Sequence, residues 1–295
     1  MTSTPANARP QSLPAGYTSD PPWGPLWHSG AGNPFFYHQF ADDFDTLPAA
    51  TYTTTAAGGS VALSAGDGGT ALFTTGATAN QFASIQVTNA SFVLPSTGNA
   101  PPGTSGSMKK LFYLARLQIS DATLGTFIAG LCVTTATPFT TGVRSVVDGL
   151  FFYKAPGAAN NLALINIASN AGSPSGTGFT NTFVIPTSAY TLANNSYIDL
   201  AFYIDRNQNL RGFVGFPMVG WIPQSGSGAV DPITGLSINP PSGAVVANYN
   251  YQSQGIQTPI MFTTVNLAPT LAISNGITAA ATTALADFHC AQKER

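Results

Sequence analysis

From about residue 41 onward the chain is a succession of short runs in which apolar positions alternate with polar or small ones, each run cut by a cluster of turn-forming residues. A period of two predicts strands, and this spacing of turns predicts a sandwich or jelly roll. Leu111–Ile119 is the clearest case, with Leu111, Tyr113, Ala115, Leu117 and Ile119 on one face and Arg116 and Gln118 on the other. Val61 and Leu63 alternate with small residues before Gly66-Asp67-Gly68-Gly69 turns the chain into Ala71-Leu72-Phe73. Further strands are expected at Gln81–Val87, with Phe82, Ile85 and Val87 as core candidates, and at 127–133, 149–153, 162–167, 183–185, 198–204, 260–273 and 284–290. Ala201–Ile204 and Leu210–Val214, joined by the polar turn Asp205-Arg206-Asn207-Gln208-Asn209, predict a β-hairpin. For Ala279–Ala286, strand or coil is favoured over a short helix, and the chain ends in polar Gln292-Lys293-Glu294-Arg295. Pro95–Ser107 reads as loop, and the Pro/Gly/Ser-rich tract from about 220 to 257 is too long for an ordinary connection.

Composition strengthens this all-β reading. Glu occurs once, at Glu294, and only 7% of the 295 residues are charged, against roughly a quarter in ordinary domains. Helix surfaces are usually built from Glu, Lys, Arg and Gln, whereas the Thr, Val, Ile, Tyr and Phe abundant here suit a pleated, half-buried surface. Ten basic residues scattered over the length, with one adjacent pair at Lys109-Lys110, exclude a polycationic nucleic-acid binder. High hydrophobicity with a net charge of −2 excludes disorder by charge repulsion. No segment reaches the roughly 20 consecutive apolar residues of a membrane helix. The N-terminus carries no basic region followed by an apolar block, so synthesis in a cytoplasm-like compartment is expected. Cys132 and Cys290 stand in apolar stretches with neither metal nor disulfide spacing and read as buried free thiols.

Residues 1–40 differ from the rest of the chain. Pro5, Pro10, Pro14, Pro21, Pro22, Pro25 and Pro34 recur too often for helix or central strand and predict an extended arm, with the sandwich occupying 41–295. Trp23, Trp27, Phe35, Phe36 and Tyr37 within it have no purpose in a solvated tail. They are candidate interface anchors, together with Trp221 in the long tract, where Tyr249 and Tyr251 also suggest contact. The surface they meet is either the chain's own sandwich or a neighbouring subunit, and the neighbour is the favoured expectation.

Catalytic chemistry finds little to stand on. The histidines are His28, His38 and His289, none in a nucleophile–base–acid pattern, and no phosphate-binding loop, HExxH or Gly-x-Ser-x-Gly elbow is present. His289 and Cys290 are adjacent, so a strand would point them to opposite faces. Neither an enzyme nor a cofactor is expected. Asp42, Asp43 and Asp45 form the one acidic cluster, readable as a calcium site or as a solvated strand start whose carboxylates bond nearby backbone. Asp, Asn, Gly and loop aromatics are also what a sugar-binding lectin uses, so carbohydrate binding stands as the rival functional reading.

Several phrases in order resemble a family of tailed-bacteriophage virion proteins. They are Asp42-Asp43-Phe44, Gly66-Asp67-Gly68-Gly69, Lys109-Lys110-Leu111-Phe112-Tyr113 through Arg116 to Ser120-Asp121-Ala122-Thr123, Asp148-Gly149-Leu150-Phe151-Phe152, Asp199-Leu200-Ala201-Phe202-Tyr203 and Ala291-Gln292-Lys293-Glu294-Arg295. The resemblance covers roughly residues 41–219 and 258–295 and implies a capsid decoration or cement protein with a jelly-roll, concanavalin-like sandwich. It implies binding to the major capsid protein and to neighbouring copies, on the capsid exterior, with no nucleic acid or membrane as partner. The alternative is a carbohydrate-binding module of a tail or head fibre used for host adhesion.

Overall fold

The computed structural model describes residues 37–64, 69–88, 90–94, 110–159, 161–169, 171, 178–185, 190–204, 210–215, 219–221 and 262–294. Within them the alternating runs become strands, and no described residue is helical. In chain order the strands are β1 (Tyr37–Asp42), β2 (Tyr52–Ala57), β3 (Ser60–Ser64), β4 (Thr70–Thr74), β5 (Phe82–Val87) and β6 (Leu111–Ile119). Next come β7 (Thr126–Cys132), β8 (Phe139–Thr140), β9 (Val143–Arg144), β10 (Gly149–Lys154), β11 (Leu162–Ala168) and β12 (Phe179–Val184). The last are β13 (Tyr197–Ile204), β14 (Leu210–Val214), β15 (Val219–Trp221), β16 (Ala268–Ser274) and β17 (Thr283–Glu294).

All named pairings are antiparallel. One sheet has eight strands in the order β15-β14-β13-β6-β17-β4-β3, with β1 also paired to β17. The other has seven, in the order β12-β11-β10-β7-β16-β5-β2. The predicted β-hairpin is the β13–β14 pair, with Ile204 opposite Leu210. Side chains of the facing sides form the main core, in which Tyr113 stacks on Phe202 at 5.0 Å and Phe202 meets Phe152 of the opposite sheet at 6.2 Å. This is the all-β sandwich that alternation and composition predicted.

A β-bulge in β17 sets which residues face inward. Ala284 and Ala286 belong to the main core, and then the register shifts between Ala286 and Phe288. The extra residue reverses the phase of alternation. Thereafter His289 and Ala291 point into the sandwich, while Cys290 points out. The bulge also marks where the strand on β17's other edge changes from β4 to β1.

The structure sharpens three sequence expectations. The sandwich begins at Tyr37 rather than residue 41, because β1 is an integral strand whose Phe40 packs on the core. The last strand runs past its expected end at residue 290, so that the polar residues 292–294 close β17, with β1 on one side and β6 along 292–293 on the other. Phe82 is buried, but in a second cluster on the outer side of the seven-stranded sheet, since it alternates with Ala83, Ile85 and Val87 of the main core. That second cluster is covered by residues around β8 and β9, including Phe139 and Val146. Thr141 and Gly142, with φ of 50° and 72°, make the two-residue turn between β8 and β9. Arg144 of the same hairpin lies 6.0 Å and 5.9 Å from the ring centres of Phe151 and Tyr153. Cys132 and Cys290 are buried and free, as their spacing suggested.

Candidate binding face on the eight-stranded sheet

The outer face of the eight-stranded sheet divides into an apolar end and a polar end, and the division follows from the alternation of β6 and β13. In β6 the outward positions run Phe112, Leu114, Arg116, Gln118, and in β13 they run Tyr197, Asp199, Ala201, Tyr203. Antiparallel register sets Arg116 opposite Asp199 and Gln118 opposite Tyr197, so the polar residues of both strands meet.

At the polar end Arg116 is fixed as a planar fork. Its Nε donates to Asp199 Oδ1 at 2.7 Å and its Nη2 to Asp199 Oδ2 at 2.9 Å. Asp287, the residue that the bulge adds to β17, places Oδ2 3.6 Å from Arg116 Nη1. The Asp199 side chain is 1% exposed, Arg116 15% and Asp287 33%, so the pair anchors the patch while Asp287 remains accessible to solvent. Burial, the larger influence, raises the Asp287 pKa, against the pull of the Arg116 guanidinium. Tyr197, 38% exposed, stands beside these groups, and its hydroxyl pKa is raised by burial and by the Asp287 charge. Gln118 Nε2 donates to the Asn195 carbonyl, which fastens the loop before β13 to the patch. An exposed aromatic ring, an accessible carboxylate and a rigidly held guanidinium thus share one surface.

No protein-family model matches the chain, and no curated protein matches it. Solved structures are similar in fold. The carbohydrate recognition domain of Emp47p aligns over 88% of this chain and 98% of its own, with 11% identity and a TM-score of 0.46. Peanut lectin, solved with a nine-residue peptide, aligns over 87% and 97% with 10% identity and a TM-score of 0.44. The CBM2 module of the evolved Dit of Lactobacillus casei BL23 phage J-1 aligns over 88% and 96% with 10% identity and a TM-score of 0.43. At these values the likenesses concern fold alone and carry no argument about ligand.

Of the residues singled out from sequence, Trp23, Trp27, Phe35 and Phe36 lie outside the described residues, as do Tyr249, Tyr251 and His28. Tyr37 stands opposite Glu294 in β1 and Trp221 opposite Gly212 in β15, and the side chains of both lie outside the described structure. The structure does not gather the acidic cluster. Asp42 Oδ1 accepts the Phe44 N–H at 2.8 Å and Oδ2 accepts the Tyr52 hydroxyl, while Asp43 and Asp45 are exposed. Both Asp42 oxygens are thus engaged by a local turn and a neighbouring strand, and burial raises its pKa despite these two bonds. Among the described residues no three His, Cys, Asp or Glu side chains converge on a common point.

His38 and His289 both point inward, one against Phe92 at 4.7 Å, the other edge-on to Phe40 and Tyr113 at 5.6 Å and 5.4 Å. Both His289 nitrogens, the Tyr113 hydroxyl and His38 Nε2 are buried without a hydrogen-bond partner. Sequence reasoning did not select Tyr197, Arg116, Asp199 and Asp287 as a site. Their signal is polar residues on the outward parity of strands whose other outward positions are apolar. Bringing them together needs the β6–β13 register and the β17 bulge, and neither is written locally.

Proposed function

We propose that the chain is a non-catalytic recognition module that binds carbohydrate at the polar end of the eight-stranded sheet's outer face. The observation that carries this reading is Tyr197, exposed beside the Arg116–Asp199–Asp287 network. A sugar ring offers an apolar C–H face that stacks on an aromatic side chain, and vicinal hydroxyls that bond planar carboxylates and guanidinium groups in pairs. Carboxylates outnumber cations here, with Asp199 and Asp287 against Arg116, which favours an uncharged sugar over an acidic one. Arrays of neutral and acidic oligosaccharides test the reading directly. Binding to neutral glycans that Tyr197→Ala and Asp287→Ala abolish, in variants that stay folded, supports it; unchanged binding by both variants, or none by the parent chain, overturns it.

A second reading is virion decoration. It draws support from a surface in which charge is scarce overall, at 7% of residues, together with an aromatic, proline-framed segment ahead of the sandwich. In this reading the major capsid protein and neighbouring copies are partners, and the capsid exterior is the location. Weakly charged surfaces let copies pack closely without repulsion, and a protein that binds the assembled shell preferentially stabilises it by linkage. Labelling of purified particles separates the two: label spread over the head supports decoration, and label at a tail or fibre, released by free sugar, supports adhesion.

A further inference from the structure

At one end of the seven-stranded sheet β12 carries an open ladder of backbone groups. The Ile185 N–H donates to the Leu162 carbonyl at 3.0 Å, which fixes the phase of the β11–β12 pairing. In an antiparallel pair, residues that exchange hydrogen bonds alternate with residues that do not. Phe179, Asn181 and Phe183 therefore turn their N–H and C=O groups toward β11, and Thr180, Thr182 and Val184 turn theirs away from the sheet. These three residues are exposed, Val184 at 65%, and among the described residues no hydrogen bond takes up their outward groups. The other edges offer less. On β2 the Tyr52 N–H donates to the Pro48 carbonyl at 3.0 Å, which leaves Thr54 and Ala56. On β3 the phase set by the Thr75–Thr282 bond leaves Val61 and Leu63, and β15 has only three residues. Natural sheet edges are closed against further strands by charged side chains, prolines or bulges. β12 has none of these: Phe179–Val184 holds no charge and no proline, and its register with β11 is unbroken. From Ala155 to Ile198 the chain contains no Asp, Glu, Lys, Arg or His at all.

We propose that two copies of this chain pair through β12, antiparallel about a two-fold axis at Thr182, so that their seven-stranded sheets join into one. The open ladder sets the register. Thr182 meets its own counterpart, Thr180 meets the counterpart of Val184, and each such pair exchanges two backbone hydrogen bonds. The strand is its own complement: β-branched side chains face one another across the axis, an arrangement that stabilises paired strands. A partner rich in charge would find nothing here to answer it, whereas a second uncharged copy meets no repulsion. The pairing leaves the outer face of each eight-stranded sheet free. On the sugar-binding reading a dimer therefore carries two sites and gains avidity on a surface that repeats its ligand, although the pairing does not depend on that reading.

Sedimentation equilibrium of the full chain, read together with amide hydrogen exchange, provides the test. The parent is expected to sediment at twice its chain mass of 30.4 kDa at high protein concentration. Thr182→Lys sets two ammonium groups opposite each other at the axis, and Thr182→Pro removes an N–H that β11 does not use. Each variant should weaken dimerisation at least about tenfold while its circular dichroism matches the parent's. In the parent, the amides of Thr180, Thr182 and Val184 should be protected at high concentration and exchange freely on dilution, and those of Thr54 and Ala56 should exchange freely at both. A monomer at high concentration, a dimer that either folded variant leaves intact, or a dimer whose β12 amides exchange freely overturns the proposal. Should neither variant fold, exchange in the parent decides alone: concentration-dependent protection of these three amides supports the pairing, and its absence overturns it.

Discussion

Replacing His289 with Leu should change how stability depends on pH, and the size of the change follows from the side chain's surroundings. His289 is fully buried between Phe40 and Tyr113, its two nitrogens have no hydrogen-bond partner, and burial pulls its pKa down to about 3. In the unfolded chain the imidazole titrates near 6.5. Between these values the unfolded state binds a proton that the native state refuses, so acidification favours unfolding by about 1.4 kcal/mol per pH unit. The cost is small at pH 7 and reaches about 2 kcal/mol at pH 5. Leu has nearly the same volume and does not titrate. Urea unfolding of parent and His289→Leu, followed by circular dichroism from pH 7 to pH 4.5, should show the variant gaining about 2 kcal/mol on the parent by pH 5. Any packing difference adds a constant offset, and Asp42 and Asp287, whose pKa values are raised by burial, titrate alike in both proteins. A difference that stays flat across this range would refute the reasoning, because the native imidazole would then accept its proton as readily as the unfolded one.

Lys154 is fully buried, and its Nζ donates to the carbonyls of Thr123, Gly125 and Ala155 at 3.2, 3.1 and 2.6 Å. Lys154→Met leaves these three carbonyls without their donor and should cost about 2 kcal/mol at pH 7 by urea unfolding. Burial holds the Lys154 pKa at about 8 against 10.5 unfolded, so the parent should gain stability relative to this variant between pH 8 and 10.5. Gly130 of β7 stands opposite Phe151 of β10, and an added Cβ would lie 2.4 Å from Phe151 Cα and 2.6 Å from the Leu150 carbonyl oxygen. Gly130→Ala should therefore lower stability by more than about 2 kcal/mol, or abolish soluble expression, since backbone rather than a flexible side chain must move. Asp148 accepts the Ser169 N–H at 3.0 Å, the Ser169 hydroxyl at 2.7 Å and the Thr263 hydroxyl at 2.8 Å. Asp148→Ala should cost about 3 kcal/mol and speed amide hydrogen exchange at Ser169 and around Thr263 first.

The strands were readable because a period of two survives in most of them: β6 coincides with its expected span, and β13–β14 with the expected hairpin. Where the period breaks, the sequence misleads. In Ala284–Cys290 simple alternation would turn His289 outward with Asp287, and the bulge that turns it inward leaves no local mark. β2, with the sequence Tyr-Thr-Thr-Thr-Ala-Ala, is an edge strand with one buried residue, Tyr52, so it carries almost no hydrophobic signal. The β8–β9 hairpin is too short for periodicity and shows itself only through Thr141-Gly142. The polar patch was half visible, in that Arg116 and Gln118 stood on the outward parity of β6. Its completion needed Tyr197, Asp199 and Asp287, brought together by pairings between strands distant in sequence.

The central claim, that the polar end of the outer face binds sugar, is tested most directly by following backbone amide NMR signals as a panel of neutral oligosaccharides is added. Saturable shifts confined to the neighbourhood of Gln118, Tyr197 and Asp287, and lost in Tyr197→Ala, are the predicted result. Shifts centred on the seven-stranded sheet, or no saturable shift with any sugar in the panel, would contradict it.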